Sequence, residues 1–270
     1  MSIGTAKPTP EEQARVPHHL IDLIDPTETY SVARFLADCG AAIAAIHARG
    51  RLPLLVGGTM MYANLLVNGM SDVPPADAAI RATLVARREQ DGIASLYAEL
   101  QRVDPATAAR LPATDTQRIE RALEVWLIGG VPLSALQGQR KPALANLTTT
   151  VIRWLPQDRA WLHERCESRL KAMFAMDFVA EVRSLRSRYQ LHPELPSMRC
   201  VGYRQVLDVL DGRAPAAEMF DRALFATRQL AKRQITWLRS FTGATVACDS
   251  ADAYTQAYAL IAQARAGVVT

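Results

Sequence analysis

An open α/β fold built on a parallel sheet is predicted by three observations. The run Leu52–Val56 is wholly apolar, as suits a strand buried on both faces, and Gly57-Gly58 follows it directly. A helical apolar pattern then opens at Thr59, completing a strand–turn–helix unit. A second strand pattern at Thr149–Leu155, with Val151, Ile152 and Trp154, leads into another capped helix at Asp158. Between residues 75 and 145 no strand pattern occurs, so an all-helical insertion is expected there, interrupting a core made of residues 1–74 and 146–270.

The elements follow in order. Residues 1–30 carry prolines at 8, 10, 17 and 26 and read as loop and short extended pieces. Adjacent His18 and His19 would point to opposite sides of an extended segment, so they suit a structural role better than chelation of one ion. Ser31 is a candidate cap for a helix whose stripe holds Val32, Phe35, Leu36, Cys39, Ile43 and Ile46, ending at Gly50. Asn68–Asp77 is rich in turn residues and marks a boundary. Helices are expected at Ala78–Gln90 behind Asp77, Ile93–Arg102, Ala106–Leu111 behind Asp104, and Thr116–Ile128 behind Asp115. After Asp158 come a long helix, a second over Phe178–Arg188, a third from near Val201, and the longest from about Ala216 to Phe241. Thr245–Ala247 and Tyr254–Ala264 read as an edge strand and a closing helix.

Composition narrows the function classes. The chain is 49% apolar over 270 residues, enough for a full core and unlike a disordered segment. No apolar run approaches the roughly 20 residues that span a bilayer, and the start lacks a leader pattern, so a cytoplasmic protein without membrane association is expected. Cys39, Cys166, Cys200 and Cys248 lack zinc-site spacing and suit free thiols. The net charge of +4 is unevenly held: residues 151–240 carry 16 Lys and Arg against 10 Asp and Glu, the remainder 15 against 17.

Four basic clusters carry candidate chemistry. Gln117, Arg118 and Arg121 share one face of a helix whose Ile119 points to the core, with Glu120 between them. Arg199-Cys200-Val201-Gly202-Tyr203-Arg204 sets two arginines and a tyrosine around a glycine. Lys232-Arg233-Gln234-Ile235-Thr236-Trp237-Leu238-Arg239 mixes three cations and an amide with an aromatic. Arg165 and Arg169 stand one turn apart. Arginine, amide and aromatic side chains interleaved in this way suit RNA, because they can stack on splayed bases while the charges hold phosphates.

Six segments in order resemble the signatures of the bacterial tRNA dimethylallyltransferases: Ile3–Pro8, Pro17–Asp22, Val56–Tyr62, Asp115–Glu124, Arg199–Gln205 and Lys232–Arg239. The resemblance implies a P-loop kinase-like parallel sheet core with a helical insertion that grips a tRNA anticodon stem-loop. It implies transfer of a dimethylallyl group from dimethylallyl diphosphate to N6 of adenine 37, with Mg²⁺, by a monomer. Thr59 is implied to contact the extruded adenine, and Arg169 to hold the departing diphosphate. Arg81, Gln117–Arg121, Arg199–Arg204 and Lys232–Arg239 correspond to tRNA contacts. The family's G-x-x-x-x-G-K-[ST] loop and its general-base Asp have no counterpart in residues 1–270. A chain lacking that N-terminal segment is therefore expected to be inactive in transfer, with the faces of Leu52–Val56 uncovered. A catalytically dead tRNA-binding remnant, a P-loop nucleotide kinase and a transferase acting on free adenine nucleotide are the alternatives. The missing loop lysine counts against a kinase, and the basic insertion against a free nucleotide.

Overall fold

The computed structural model describes residues 1–138, 140–144 and 149–267. Helix α1 (Pro10–Arg15) opens with a reciprocal cap, in which Thr9 Oγ1 accepts from the Glu12 amide and Glu12 accepts from the Thr9 amide. Ser31 caps α2 (Val32–Ala48), which buries Phe35, Leu36, Cys39 and Ile43 on one stripe. Helix α3 (Met60–Asn68) is held against α2 by Tyr62, which stacks on Phe35 with ring centroids 4.0 Å apart. The Tyr62 hydroxyl also donates to the Tyr30 carbonyl, and that of Tyr30 to Asp38, 2.8 Å away. Burial, together with Asp38, pushes Tyr30 up to about 12.

Strand β1 (Met70–Ser71) precedes α4 (Ala78–Val103), which is two helices joined at Gly92, where φ is +79°. That joint falls between the two helices expected from sequence. Then come α5 (Pro105–Ala108), α6 (Thr116–Gly129), α7 (Leu133–Leu136) and β2 (Arg140–Lys141). β2 pairs antiparallel with β1, so the stretch read as all-helical also carries one short strand. Two residues cannot display the alternation by which a strand is recognised in sequence. The expected boundary between residues 145 and 146 lies outside the described residues.

Strand β3 (Ile152–Leu155) leads to α8 (Arg159–Ala175), capped by Asp158, and α9 (Phe178–Arg188). Helices α10 (Tyr203–Leu210) and α11 (Met219–Leu238), strand β4 (Ala244–Ala247) and α12 (Ala253–Gly267) complete the chain. β3 and β4 run parallel, with Ile152 opposite Ala244 and Leu155 opposite Ala247. Asp249 fastens the carboxyl ends of the pair by accepting from the amides of Gln157 and Asp158.

The expected strand at Leu52–Val56 is not formed. Residues 51–59 take no regular structure, and Leu54 and Val56 are 62% and 86% exposed. A strand must pair its N–H and C=O groups with a neighbour, and among the described residues β3 pairs with β4 alone. Apolar composition without a flanking strand leaves the segment uncovered.

The chain forms two compact units, Met1–Ala63 with Thr148–Thr270, and Asn64–Leu147. The core of the first joins Leu170 and Met173 of α8, Phe178, Val182 and Leu185 of α9, Tyr203 and Val206 of α10, and Ala223 and Leu224 of α11. Phe178 meets Tyr203 edge-on at 4.9 Å, and Gly4 lies so close to both rings that a β-carbon there would collide with them. The core of the second joins Leu84, Leu96 and Leu100 of α4 with Ile119, Ala122 and Leu123 of α6.

Candidate nucleic-acid interface and transfer site

The glycine turn is tied to the longest helix. Gln234 Nε2 of α11 donates to the Gly58 carbonyl at 2.9 Å, and a β-carbon at Gly58 would strike that amide. A side chain at position 58 would displace the Gln234 amide and break this hydrogen bond, so glycine here preserves the tie to α11. Thr59 is next in sequence and exposed; its carbonyl accepts from the Tyr62 and Ala63 amides at the start of α3. Its hydroxyl makes no hydrogen bond among the described residues, so it is not consumed as a helix cap.

Around Gln234, Lys232, Arg233 and Arg239 are exposed, with no carboxylate within 4.0 Å among the described residues. Trp237 is 46% exposed, while Ile235 and Leu238 are half-buried. Thr236 Oγ1 turns back to the Lys232 carbonyl at 3.0 Å. This end of α11 therefore presents three cations and an indole to solvent.

Arg165 and Arg169 are likewise exposed on α8, and neither has a carboxylate partner among the described residues. Arg165 lies over the Trp161 ring, 5.7 Å from its centroid. Burial pushes the Cys166 thiol up, and the nearby Arg228 and Arg169 guanidinium groups oppose that rise. In the Arg199–Arg204 segment the roles divide. Arg199 reaches Glu194 at 3.1 Å, Cys200 and Arg204 are exposed, and Val201 is half-buried. Gly202 takes φ of +91° at the start of α10, and Tyr203 is fully buried. The Tyr203 hydroxyl donates to Glu181, which also accepts from the amides of Ser2 and Ile3. Burial and the Glu181 charge hold that phenol far above its ordinary range, so it stays protonated. The Tyr203 side chain is core, and contact with a ligand falls to its exposed neighbours.

The helical unit holds its cations differently. Glu124 is buried and accepts from Arg81 Nε at 2.9 Å, Arg121 Nη1 at 2.7 Å and the Asp77 amide at 2.8 Å. Burial pushes Glu124 up, but Arg121, the Asp77 amide and Arg81 outweigh it and hold the carboxyl below its usual range. Arg121 also donates to the Pro74 carbonyl at 2.6 Å. Arg118 pairs with Asp115 at 3.1 Å, Glu120 accepts from Arg88 at 2.6 Å, and Ile119 is buried. Gln117 is exposed, and its side-chain amide makes no hydrogen bond among the described residues. Sequence reasoning assigned no part to Glu124 or Glu181. For Glu124 a signal existed, three residues after Arg121 on the same helix face; for Glu181, paired with residues remote in the chain, none did.

Among the described residues no group of three or more His, Cys, Asp and Glu could hold a metal ion. His18 Nδ1 lies 2.7 Å from the Val16 carbonyl, and both His18 and His19 are exposed. The described residues therefore do not form a Mg²⁺ site.

The family profile for IPP transferases matches residues 1–241. A tRNA dimethylallyltransferase of Acidovorax sp. (strain JS42) is 54% identical over 260 residues, covering 95% of this chain and 80% of the relative. One from Leptothrix cholodnii is 54% identical over 251 residues, covering 92% and 76%. Among solved structures, a eukaryotic dimethylallyltransferase acting on tRNA superposes with a TM-score of 0.78 at 26% identity, covering 96% of this chain and 67% of that one. The tRNA isopentenylpyrophosphate transferase of Bacillus halodurans gives 0.59 at 35% identity, covering 91% and 76%. The sheet-and-helix core is thus of the P-loop-like type these enzymes share, and the chain belongs to the IPP transferase family of tRNA dimethylallyltransferases.

Proposed function

We propose that the chain acts in transfer of a dimethylallyl group to N6 of adenine 37 in tRNA, and that its described residues serve chiefly to hold the RNA. The observation that carries this reading is the Gln234–Gly58 hydrogen bond, which joins the glycine turn before Thr59 to the exposed cations of α11. In the reaction, the adenine N6 lone pair forms a bond to C1 of the dimethylallyl group. The C1–oxygen bond breaks, the diphosphate leaves with its electron pair, and N6 loses a proton. The free Thr59 hydroxyl is suited to contact the adenine. The unneutralised Arg169 guanidinium is suited to the charge that develops on the departing diphosphate. Lys232, Arg233, Arg239, Arg204 and Trp237 offer phosphate contacts and a stacking surface to the anticodon stem-loop.

No lysine-bearing phosphate loop occurs in residues 1–270, and no carboxylate bonds to Thr59 among the described residues. RNA binding with little transfer is therefore expected of residues 1–270. The test is titration of a labelled anticodon stem-loop at several salt concentrations, followed by a transfer assay with dimethylallyl diphosphate and Mg²⁺. The expected result is affinity that falls steeply with salt and transfer well below that of the Acidovorax relative. A flat salt response would remove the RNA reading of these clusters. Transfer at the relative's rate would show that the catalytic groups are complete without such a loop.

A further inference from the structure

The helical unit contains an open concavity of about 570 Å³ between α5, α6 and α7, lined by Arg110, Gln117, Arg118, Arg121 and Gln137 among others. Its size falls within the roughly 300–1,000 Å³ typical of small-ligand pockets. The three arginines differ in one respect. Arg118 is matched by Asp115 and Arg121 by Glu124, whereas among the described residues Arg110 is held by neutral acceptors alone. Its Nε donates to the Ala106 carbonyl at 3.1 Å, and its Nη2 to Thr107 Oγ1 at 3.3 Å and Gln137 Oε1 at 2.9 Å. The guanidinium is thus fixed in place with its charge uncompensated, which lowers the entropic cost of binding an anion. Burial of Asp104 anchors the wall: its carboxylate accepts from the amides of Thr107 in α5 and Ser134 in α7, both at 3.0 Å.

We propose that this concavity binds one unpaired nucleotide of the RNA, with its phosphate on Arg110 and its base edge on the amides of Gln117 and Gln137. Arg110 and Gln137 lie outside every sequence motif that marks the family. Because Gln137 Oε1 already accepts from Arg110, its NH₂, which has no acceptor among the described residues, remains to donate, while the exposed Gln117 amide offers both a donor and an acceptor. A planar base needs such a pairing, and an unpaired residue alone leaves its edge open to it. The site rests on the RNA reading above and adds a position-specific contact to it.

The test compares an RNA stem-loop with a duplex of the same stem lacking the loop, by anisotropy titration against the full chain. Arg110→Gln should weaken stem-loop binding at least tenfold, as expected for loss of a charge-assisted contact, while duplex binding stays within about twofold. Arg110→Lys should recover part of the loss. Gln117→Ala, which removes no side-chain hydrogen bond among the described residues, should abolish the penalty that an abasic substitution at one loop position imposes on the wild-type chain. Stem-loop affinity unchanged in both Arg110→Gln and Gln117→Ala, while Lys232→Gln weakens it, would overturn the concavity and leave the RNA reading standing. No loss in any of the three would overturn both.

Discussion

Arg81, Arg87, Arg88 and Arg121 of the helical unit and the cations at the exposed end of α11 look alike in sequence and are in opposite electrostatic states. Arg81 and Arg121 converge on buried Glu124, Arg87 reaches Glu99 at 2.5 Å, and Arg88 reaches Glu120. Lys232, Arg233 and Arg239 have no such partner among the described residues. A guanidinium matched by a carboxylate is a packing element, and recruiting it to a phosphate would leave that carboxylate unpaired. The charge available to a polyanion is therefore the unmatched part, which a count of Lys and Arg overstates for the helical unit.

The contrast can be broken most severely at Glu124. Glu124→Ala should destabilise the helical unit by about 2 kcal/mol, since it removes the buried acceptor of charge-assisted hydrogen bonds from Arg81 and Arg121 and strands the Asp77 amide. Chemical denaturation would show it; a loss below about 1 kcal/mol would mean that Arg81 and Arg121 are not held by Glu124.

Next comes the triple substitution Lys232→Gln, Arg233→Gln and Arg239→Gln. Stem-loop affinity should fall on the order of a hundredfold, and the slope of log affinity against log salt should shrink by about 2. Arg87→Gln with Arg88→Gln should change affinity less than about twofold. Equal effects from the two sets would erase the distinction. Arg169→Ala should weaken binding of inorganic diphosphate about tenfold by calorimetry, as removal of a charged hydrogen-bond donor does. Stem-loop affinity should be unaffected, and unchanged diphosphate binding would make Arg169 a solvated helix residue.

The smallest effect is pH dependence. Glu124 and Asp104 are both held below their ordinary values of 4.5 and 3.8, the latter because hydrogen bonds from Ser134 and Thr107 outweigh burial. A depressed carboxyl contributes stability that is complete above the unfolded value and disappears as pH falls through the folded one. The melting temperature of the helical unit should therefore drop below about pH 4.5, and Glu124→Gln should flatten the curve. A wild-type curve already flat down to pH 3 would contradict the assignment.

What was legible in the sequence was local. Ser31, Asp77, Asp115 and Asp158 cap the helices expected behind them, because a cap is a contact between residues two or three apart. Helix α1 carried the same kind of signal in Thr9 and Glu12, but its six residues have no apolar stripe. Leu52–Val56 failed for the opposite reason, since a strand is defined by a neighbour that its own composition cannot supply. The clusters were visible as clusters. Their division into matched and unmatched charge was not, because Glu124 finds Arg81 on another helix and Gly58 finds Gln234 on a helix near the other end of the chain.

The pairing of β3 with β4 carries a kinetic consequence. Ile152 meets Ala244 only after α8, α9, α10 and α11 have been laid down between them, and the ladder is four residues long. So short a ladder cannot offset the closure entropy of so long a connection. The strands must wait until the four helices have packed through Phe178, Tyr203 and Leu224 and drawn their ends together. In refolding, helical signal should precede protection of the Ala244 amide, which bonds to the Val151 carbonyl at 3.1 Å. The parallel sheet, by which the fold class is recognised, is then the last part of this unit to form.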